Sequence, residues 1–358
     1  MQEYKVIGIM SGTSLDGVDL AYCCFSKDEA GWKFEIMNAI TVAYSREWKE
    51  KLSTLHLQDA VTFAKANAEY GNYLGMLAKE FIETNNWIAD YVSSHGHTIF
   101  HQPQNKFTSQ IGDGAALSAA CGLPVVCDFR TMDIALGGQG APLVPIGDKL
   151  LFSEYDFCLN LGGIANVTKS QYEKEVVAFD VCPCNLLLNY LSSILGKEYD
   201  EDGKFAERGK VNESLLNKLN SLSFYSPDKS GPKSLGREDI EKDFLPVINS
   251  SDISTEDKLT TICEHIAIQI SNVTHISELQ APNSQLFITG GGAFNSFLIA
   301  RIKELCKVQV IVPEKKIINY KEAMIFAFLG VLRWRNEINC LKSVTGARRD
   351  CIGGAVYL

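Results

Sequence analysis

Apolar and polar positions along the chain alternate between a two-residue and a three-to-four-residue period. Lys5 to Met10 is an apolar, β-rich run, Ser11 to Gly17 is turn chemistry, Val18 to Phe25 returns as a second strand, and Trp32 to Tyr44 reads as a third. From Asp59 to Asn86, the positions Phe63, Ala66, Tyr70, Tyr73, Leu74, Leu77 and Phe81 recur at helical steps. A short strand over Tyr91 to Ser94, a helix over 113–121 and a buried strand over Pro124 to Cys127 follow. The cycle then restarts. Asp156 to Leu161, Ile164 to Thr168 and Glu175 to Phe179 read as strands, with Gly162-Gly163 as the first turn, and Leu186 to Leu195 is helical. Residues 199–237, rich in Gly, Asp, Lys and Ser, predict surface loops with short helices. An amphipathic helix over 255–278, a strand over Gln285 to Thr289, a triple-glycine turn and a helix over Phe294 to Cys306 come next. Val308 to Val312 (strand), Lys321 to Trp334 (helix) and a strand-like Ile352 to Leu358 complete the pattern. Strand, glycine turn, strand, strand, helix thus occurs twice, about 150 residues apart, a duplication rather than a short repeat, which predicts an α/β class with two similar lobes around a cleft.

Length agrees: 358 residues suggest about two domains at ~150 each. With 34 basic and 43 acidic residues the net charge is −9, which argues against the dense basic surface that nucleic-acid binding needs. No apolar run approaches the ~20 residues that cross a bilayer, so no membrane role is expected. Met1 to Met10 carries no basic, long-apolar and cleavage pattern, so no signal peptide and a cytoplasmic location are expected. The eleven cysteines are odd in number and irregular in spacing, and Cys182-Pro183-Cys184 is not a C-x-x-C, so packed, reduced thiols are expected rather than a disulfide scaffold.

Against this frame a few segments carry chemistry. Gly8 to Asp19 is a hairpin tip with Gly12, Gly17 and the hydroxyls of Ser11, Thr13 and Ser14, which suits a phosphate; the ordinary alternative is a plain turn. It is neither a P-loop nor a dinucleotide fingerprint. Asn160 to Thr168, with Gly162, Gly163 and Asn166, repeats the device, and Gly290, Gly291 and Gly292 to Asn295 form a strand-to-helix turn that lets a ligand lie on bare backbone. Asp128, Asp180 and Glu322 follow apolar strands or open a helix, positions that face a ligand crevice in α/β sheets but also suit caps and loop charges. The run from Asp128 through Arg130 and Gln139 to Pro145 reads as a ligand loop, with Arg130 able to grip a carboxylate. His95, His97 and His101 are expected to line the cleft rather than to bind metal.

Taken together, Gly8 to Asp19, Ser94 to Pro103, Gln110 to Asp113, Asp128 to Arg130, Gly137 to Pro145, Leu159 to Thr168, Thr289 to Asn295, Glu322-Ala323 and Ser343 to Ala347 resemble the anhydro-N-acetylmuramic acid kinases, nearly end to end. The Gly-Thr-Ser-x-Asp-Gly hairpin and the Gly-Gly-Gln-Gly-Ala-Pro loop are the specific parts. The resemblance implies a two-lobed actin-like ATPase (ribonuclease H-like) fold with a central cleft. It implies lobes over 1–130, completed by 343–358, and over 131–342. It implies use of ATP and Mg²⁺ on a small-molecule anhydro sugar, and a homodimer. Asp180 then matches the catalytic base and Glu322 a second active-site carboxylate. Gly12, Thr13, Ser14, Leu15, Asp16, Gly17, Val18 and Asp19 match the ATP phosphate hairpin, with Asp16 reaching the metal through water. Gly162, Gly163 and Asn166 form the second hairpin, and Gly290, Gly291, Gly292 and Asn295 the adenosine side. His95, Asp128, Arg130 and Gln139 fall to the sugar, Arg130 to its lactyl carboxylate. The chain departs from the family in Asp180-Val181-Cys182-Pro183-Cys184-Asn185, where Asp-Thr-Gly-Pro-Gly-Asn is usual, and in His97 and Gly114, where glutamine and proline are usual. Two alternatives stand beside this reading: a kinase for another anhydro sugar such as levoglucosan, and a non-catalytic ATP-dependent switch of the same fold.

Overall fold

The computed structural model describes residues 2–12, 15–169, 175–226, 233–275 and 284–358. They divide into two compact units, Met1–Phe152 with Tyr320–Leu358, and Ser153–Asn319. In chain order the first unit holds β1 (Glu3–Ser11), β2 (Gly17–Asp28), β3 (Gly31–Ala43), α1 (Arg46–Thr54), α2 (Ala60–Thr84), β4 (Tyr91–Gln102), β5 (Phe107–Ile111), α3 (Gly114–Cys121), β6 (Val125–Cys127), α4 (Thr131–Ala135) and α5 (Val144–Leu151). The second holds β7 (Phe157–Leu161), β8 (Ile164–Lys169), β9 (Val177–Pro183), α6 (Asn185–Ile194), α7 (Glu213–Asn220) and α8 (Arg237–Asp239). A π-helical turn (Ile240–Phe244) joins α8 to α9 (Leu245–Asn249), and α10 (Thr255–Thr274), β10 (Gln285–Thr289), α11 (Ser296–Leu305) and β11 (Gln309–Ile311) follow. Helix α12 (Lys315–Trp334) leads back to the first unit, which α13 (Lys342–Thr345) and β12 (Ala355–Tyr357) complete.

Each unit is built on one sheet. In the first the order is β12-β6-β4-β1-β2-β3, with β5 paired to β4, and in the second it is β11-β10-β7-β8-β9. An antiparallel meander (β1-β2-β3, β7-β8-β9) is extended by a strand parallel to its first member (β4, β10), and by one more parallel strand (β6, β11). The duplication read from the sequence is therefore a duplication of topology, and the α/β class with two lobes holds.

The strands form where β-branched and aromatic residues run together, and they bury Val6, Ile7, Ile9, Val18, Leu20 and Phe25 completely. The helices begin on side-chain caps: Ser45 accepts from Trp48 N–H, Asp59 from Val61 and Thr62 N–H, Asp113 from Ala116 N–H and Ser254 from Asp257 N–H. One close approach organises the first unit. A Cβ at Gly8 would lie 2.0 Å from the carbonyl oxygen of Ala323, so α12 crosses β1 with only a hydrogen between the backbones.

Several elements differ from the expectation. Strand β4 runs to Gln102 and turns into β5, although residues 97–111 are too polar to show a strand period. Helices α1, α4 and α5 were not expected, and α5 opens on Pro145 inside the presumed ligand loop. Residues 199–237 are more than surface: Ala206, Leu215 and Leu219 are wholly buried in the second unit's core. The chain changes unit at 152/153 and 319/320 rather than at 130/131 and 342/343. The physical reason is that α5 belongs to the first unit: Asp148 pairs with Lys321 at 2.7 Å, and Phe152 packs edge-on against Phe34. The helix expected over 255–278 ends at Thr274 and residues 276–283 lie outside the described residues. Among the described residues no helix is long and apolar enough to cross a membrane.

Candidate active site

The first hairpin joins β1 to β2 with Met10 opposite Asp19. Gly12 is half-buried, Leu15 has φ 60 and Asp16 is exposed, while Thr13 and Ser14 lie outside the described residues. Asp19 is half-buried and accepts from Thr41 Oγ1 at 2.6 Å; burial raises its pKa, Thr41 lowers it and the neighbouring Asp16 charge raises it. Three residues of the motif face inward instead. Ser11 hydrogen-bonds Tyr44 Oη at 2.5 Å and His97 Nδ1 at 2.8 Å, and Tyr44 bonds Tyr70 in turn, so its hydroxyl is spent in the core. Val18 is a fully buried core residue that could offer a ligand only its backbone. Gly17 is a packing position, since a Cβ there would lie 2.4 Å from Val42 O on β3.

In the same unit Arg130, at the start of α4, is held on two sides. Its Nε and Nη2 lie 3.0 and 2.9 Å from His95 Nε2, and Nη1 donates to Gly140 O at 2.6 Å. His95 Nδ1 lies 2.9 Å from Gly96 O, a geometry that fixes a neutral ring with its proton on Nδ1. Burial and the Arg130 charge push His95 well below the usual histidine range. Burial also lowers Arg130 to about 10, so it stays cationic at neutral pH, with Glu322 opposing the shift. One N–H on each terminal nitrogen remains beyond these bonds. Glu322 keeps solvent-accessible surface, yet its surroundings raise its pKa by desolvation, against Arg130 and Lys321 and with Asp19. Asp128 is exposed in a left-handed backbone (φ 61) and accepts from Thr131. Gln139 is exposed, and its N–H donates to Thr345 O at 2.8 Å. Of the other histidines, His97 is held by Ser11 and His101 Nδ1 lies 3.2 Å from Thr108 Oγ1.

The second unit brings its own predicted residues together. Asn160, Asn166 and Asp180 are opposite one another across β7, β8 and β9, so they form one polar row on one face of the sheet. Asp180 Oδ2 accepts from Leu235 N–H at 2.8 Å; burial raises its pKa while that bond and the Ser234 hydroxyl lower it. The backbone after Asp180 is anchored to the glycine hairpin. Gly163 O accepts from Cys184 and Leu186 N–H and Gly162 O from Asn185 N–H, so the hairpin carbonyls close the start of α6. The departures in this loop are absorbed by the core: Val181, Cys182 and Cys184 are buried and neither cysteine takes a positive φ. Gly290 has φ +83, and a Cβ there would lie 2.5 Å from Asn160 Oδ1, which puts the triple-glycine turn against the second hairpin. Asn295 caps α11 through Oδ1 to Leu298 N–H at 2.9 Å. All eleven cysteines are free thiols.

Thr41 was missed by the sequence reading, and Asn160 was read only as the first residue of the second hairpin segment, not as a side chain of the site. The signal for Asn160 was a polar residue inside the apolar run Phe157-Cys158-Leu159-Asn160-Leu161, immediately before the glycines. Thr41 carried none, because threonine is an ordinary strand residue.

Comparison with known proteins identifies the family of the chain. The family described as anhydro-N-acetylmuramic acid kinase matches residues 4–358. Relatives of that name are 34% identical in Vibrio vulnificus (strain CMCP6) and 35% identical in Vibrio parahaemolyticus serotype O3:K6, each covering 98% of this chain and 97% of the relative. The one from Haemophilus influenzae is 32% identical over 100% of this chain and 98% of its own. Among solved structures, the activator of the 2-hydroxyisocaproyl-CoA dehydratase from Clostridium difficile with bound ADPNP is similar at TM-score 0.43 and 12% identity, over 93% of this chain and 97% of that one. Likeness at that level says nothing about function.

Proposed function

The chain belongs to the anhydro-N-acetylmuramic acid kinase family, and from that premise we propose how its residues divide the work of an ATP-dependent kinase that opens 1,6-anhydro-N-acetylmuramic acid in peptidoglycan recycling. In this substrate O6 is bonded to the anomeric carbon and carries no proton, so a base that merely deprotonates a sugar hydroxyl has nothing to act on. Asp180 takes a proton from water, the water oxygen bonds to the anomeric carbon, and the C1–O6 bond breaks. The freed O6 then bonds to the γ-phosphorus as the bond to ADP breaks, giving N-acetylmuramic acid 6-phosphate. The first half is the logic of an inverting glycosidase and the second is phosphoryl transfer. The observation that carries this role is the setting of Asp180: half-buried, held by Leu235 N–H, with a raised pKa that makes its carboxylate a better base.

Glu322 assists as a second carboxylate. Gly12 to Asp19 and the second hairpin with Gly162, Gly163 and Asn166 bind phosphates, and Gly290 to Gly292 and Asn295 the adenosine. Arg130 grips the lactyl carboxylate with its two remaining N–H groups, beside His95, Asp128 and Gln139. The Asp16 charge lies close enough to Asp19 to raise the proton affinity of the Asp19 carboxylate, and a pair of neighbouring carboxylates fits a Mg²⁺ ion at the first hairpin. When bound, Mg²⁺ neutralises phosphate charge during transfer. A homodimer in the cytoplasm completes the reading.

Turnover in heavy-oxygen water tests the mechanism. The label should appear on the anomeric hydroxyl of the product and not in free phosphate, read by mass spectrometry. Asp180→Asn should lose at least the roughly 10²–10⁴-fold that one general base contributes, while ATP still binds. Label in phosphate, or near-normal turnover of Asp180→Asn, overturns the assignment.

A further inference from the structure

A second cluster of reactive side chains lies apart from this chemistry. Cys340 and Cys351 form an isolated antiparallel bridge in the first unit, with Cys340 N–H to Cys351 O at 3.2 Å and Cys351 N–H to Cys340 O at 3.1 Å. The Cys340 thiol donates to Asp133 Oδ1 at 3.2 Å. Asp133 also accepts from Thr345 Oγ1 at 2.7 Å and, on Oδ2, from Gly140 N–H at 2.7 Å. All three residues are buried, and one donor atom of each lies within 4.8 Å of the other two. Among the described residues this is the one group of histidine, cysteine or acidic side chains so arranged.

We propose that Asp133, Cys340 and Cys351 form a binding site for a thiophilic divalent cation, with zinc as its type. Zn–S bonds of ~2.3 Å and Zn–O bonds of ~2.0–2.2 Å in a tetrahedron separate neighbouring ligand atoms by about 3.4–3.8 Å, so only small side-chain movements close the site. Three protein ligands leave a fourth position for water. The charge also balances. The Asp133 carboxylate is bonded by N–H, O–H and S–H donors, and when Zn²⁺ enters, the two thiol protons leave, so the net charge of the cluster is unchanged. Two thiolates select zinc or cadmium over Mg²⁺, which keeps this site distinct from any at the nucleotide.

Occupancy has a mechanical consequence. A metal on Asp133 competes with the bonds to Thr345 and Gly140, and Gly140 O is the acceptor that fixes Arg130. Zinc therefore slows turnover by loosening Arg130. This consequence rests on the role proposed above for Arg130, whereas binding itself does not.

The experiment titrates the full chain, stripped with chelator and kept reduced, with zinc alone against a chromophoric competitor. The expected result is about one equivalent bound with release of about two protons in weak buffer, and with cadmium an ultraviolet thiolate-to-metal band. Cys340→Ser/Cys351→Ser should lose the equivalent, the protons and the band with its circular dichroism unchanged, while Cys24→Ser, at a partly exposed thiol, keeps all three. Equal binding by wild type and the double variant overturns the site, as does a Cys340–Cys351 disulfide that forms in air and excludes the metal. Zinc bound with turnover unchanged overturns the link to Arg130 and leaves the site standing.

Discussion

Arg130 shows how much a single side chain owes to its surroundings. Its guanidinium is locked by His95 and Gly140, so in the proposed role its outer edge would meet a carboxylate without the loss of rotamer freedom that a surface arginine would suffer. Arg130→Ala should therefore cost a substrate bearing the lactyl carboxylate roughly tenfold to a hundredfold in kcat/KM, the 1.5–3 kcal/mol of a charge-assisted bond. An anhydro sugar lacking that group, such as levoglucosan, should lose far less, and comparing the two kcat/KM ratios checks it. Equal losses would make Arg130 a support for the Gly140 loop. At this scale the sequence marked candidates where chemistry is unusual, such as a carboxylate in an apolar run or an arginine in a glycine-rich one, but misplaced two of them. Asp180, expected just after a strand, lies inside β9, and Glu322, expected to open a helix, lies two turns into α12 because the more polar Lys315 to Tyr320 hides the helix start. The sequence was not legible for Ser11, because a hydroxyl in a hairpin motif reads the same whether it faces a phosphate or, as here, Tyr44 and His97. The cysteines were legible as packed thiols, and Cys182 and Cys184 fill core volume where the family usually has glycine.

Elements are fixed by approach distances that composition does not display. The meander strands and the longer helices were read as elements of the right kind because their apolar period is strong, although α12 begins at Lys315 rather than Lys321 and β9 runs to Pro183 rather than Phe179. Strand β5, the outer half of β4, and helices α4 and α5 were not, because polar residues, glycine and proline mask the period while pairing and packing decide the outcome. Gly8 illustrates the same limit. It opens the hairpin motif, yet its function is to let α12 lie on β1 at Ala323, next to Glu322. Gly8→Ala should force backbone apart and destabilise the fold by about 1–3 kcal/mol, seen as a lower urea midpoint. Because the residue displaced first is the neighbour of Glu322, kcat per folded molecule should fall as well, with the Kd for ATP changing less. A variant with unaltered midpoint and kcat would show that α12 does not depend on this contact.

Across the molecule, the two units share a strand order and also a liability to acid. The first buries His95 and His97, and the second buries His265 between Tyr225 Oη at 3.0 Å and Asn220 Oδ1 at 2.6 Å. Burial lowers His97 to about 4 and His265 to about 3, and holds His95 well below its usual range. In the unfolded chain each titrates near ~6.5. Between ~6.5 and the folded values the unfolded state binds protons that the folded state refuses, so this contribution is complete above pH ~6.5 and is lost as pH falls. The raised carboxylates Asp19, Asp128, Asp180 and Glu322 have the opposite sign, since the folded state holds their protons more tightly and gains as pH drops through their range. Their gain begins at their raised folded values and is complete near the unfolded ~4, so it offsets part of the histidine loss over the acid end of the descent. From pH 7.5 to 5, urea unfolding should show a loss on the order of 2 kcal/mol for each of His97 and His265, with a further loss of the same sign from His95. His97→Gln keeps a polar partner for Ser11 and should retain about 2 kcal/mol more of its pH 7.5 stability at pH 5 than the wild type does. His265→Gln should do the same for the second unit, and if the units melt in separate transitions each substitution should flatten only its own. A wild-type midpoint that does not move over this range would mean that these imidazoles gain protons without unfolding, and that the burial which sets their pKa values is relieved locally.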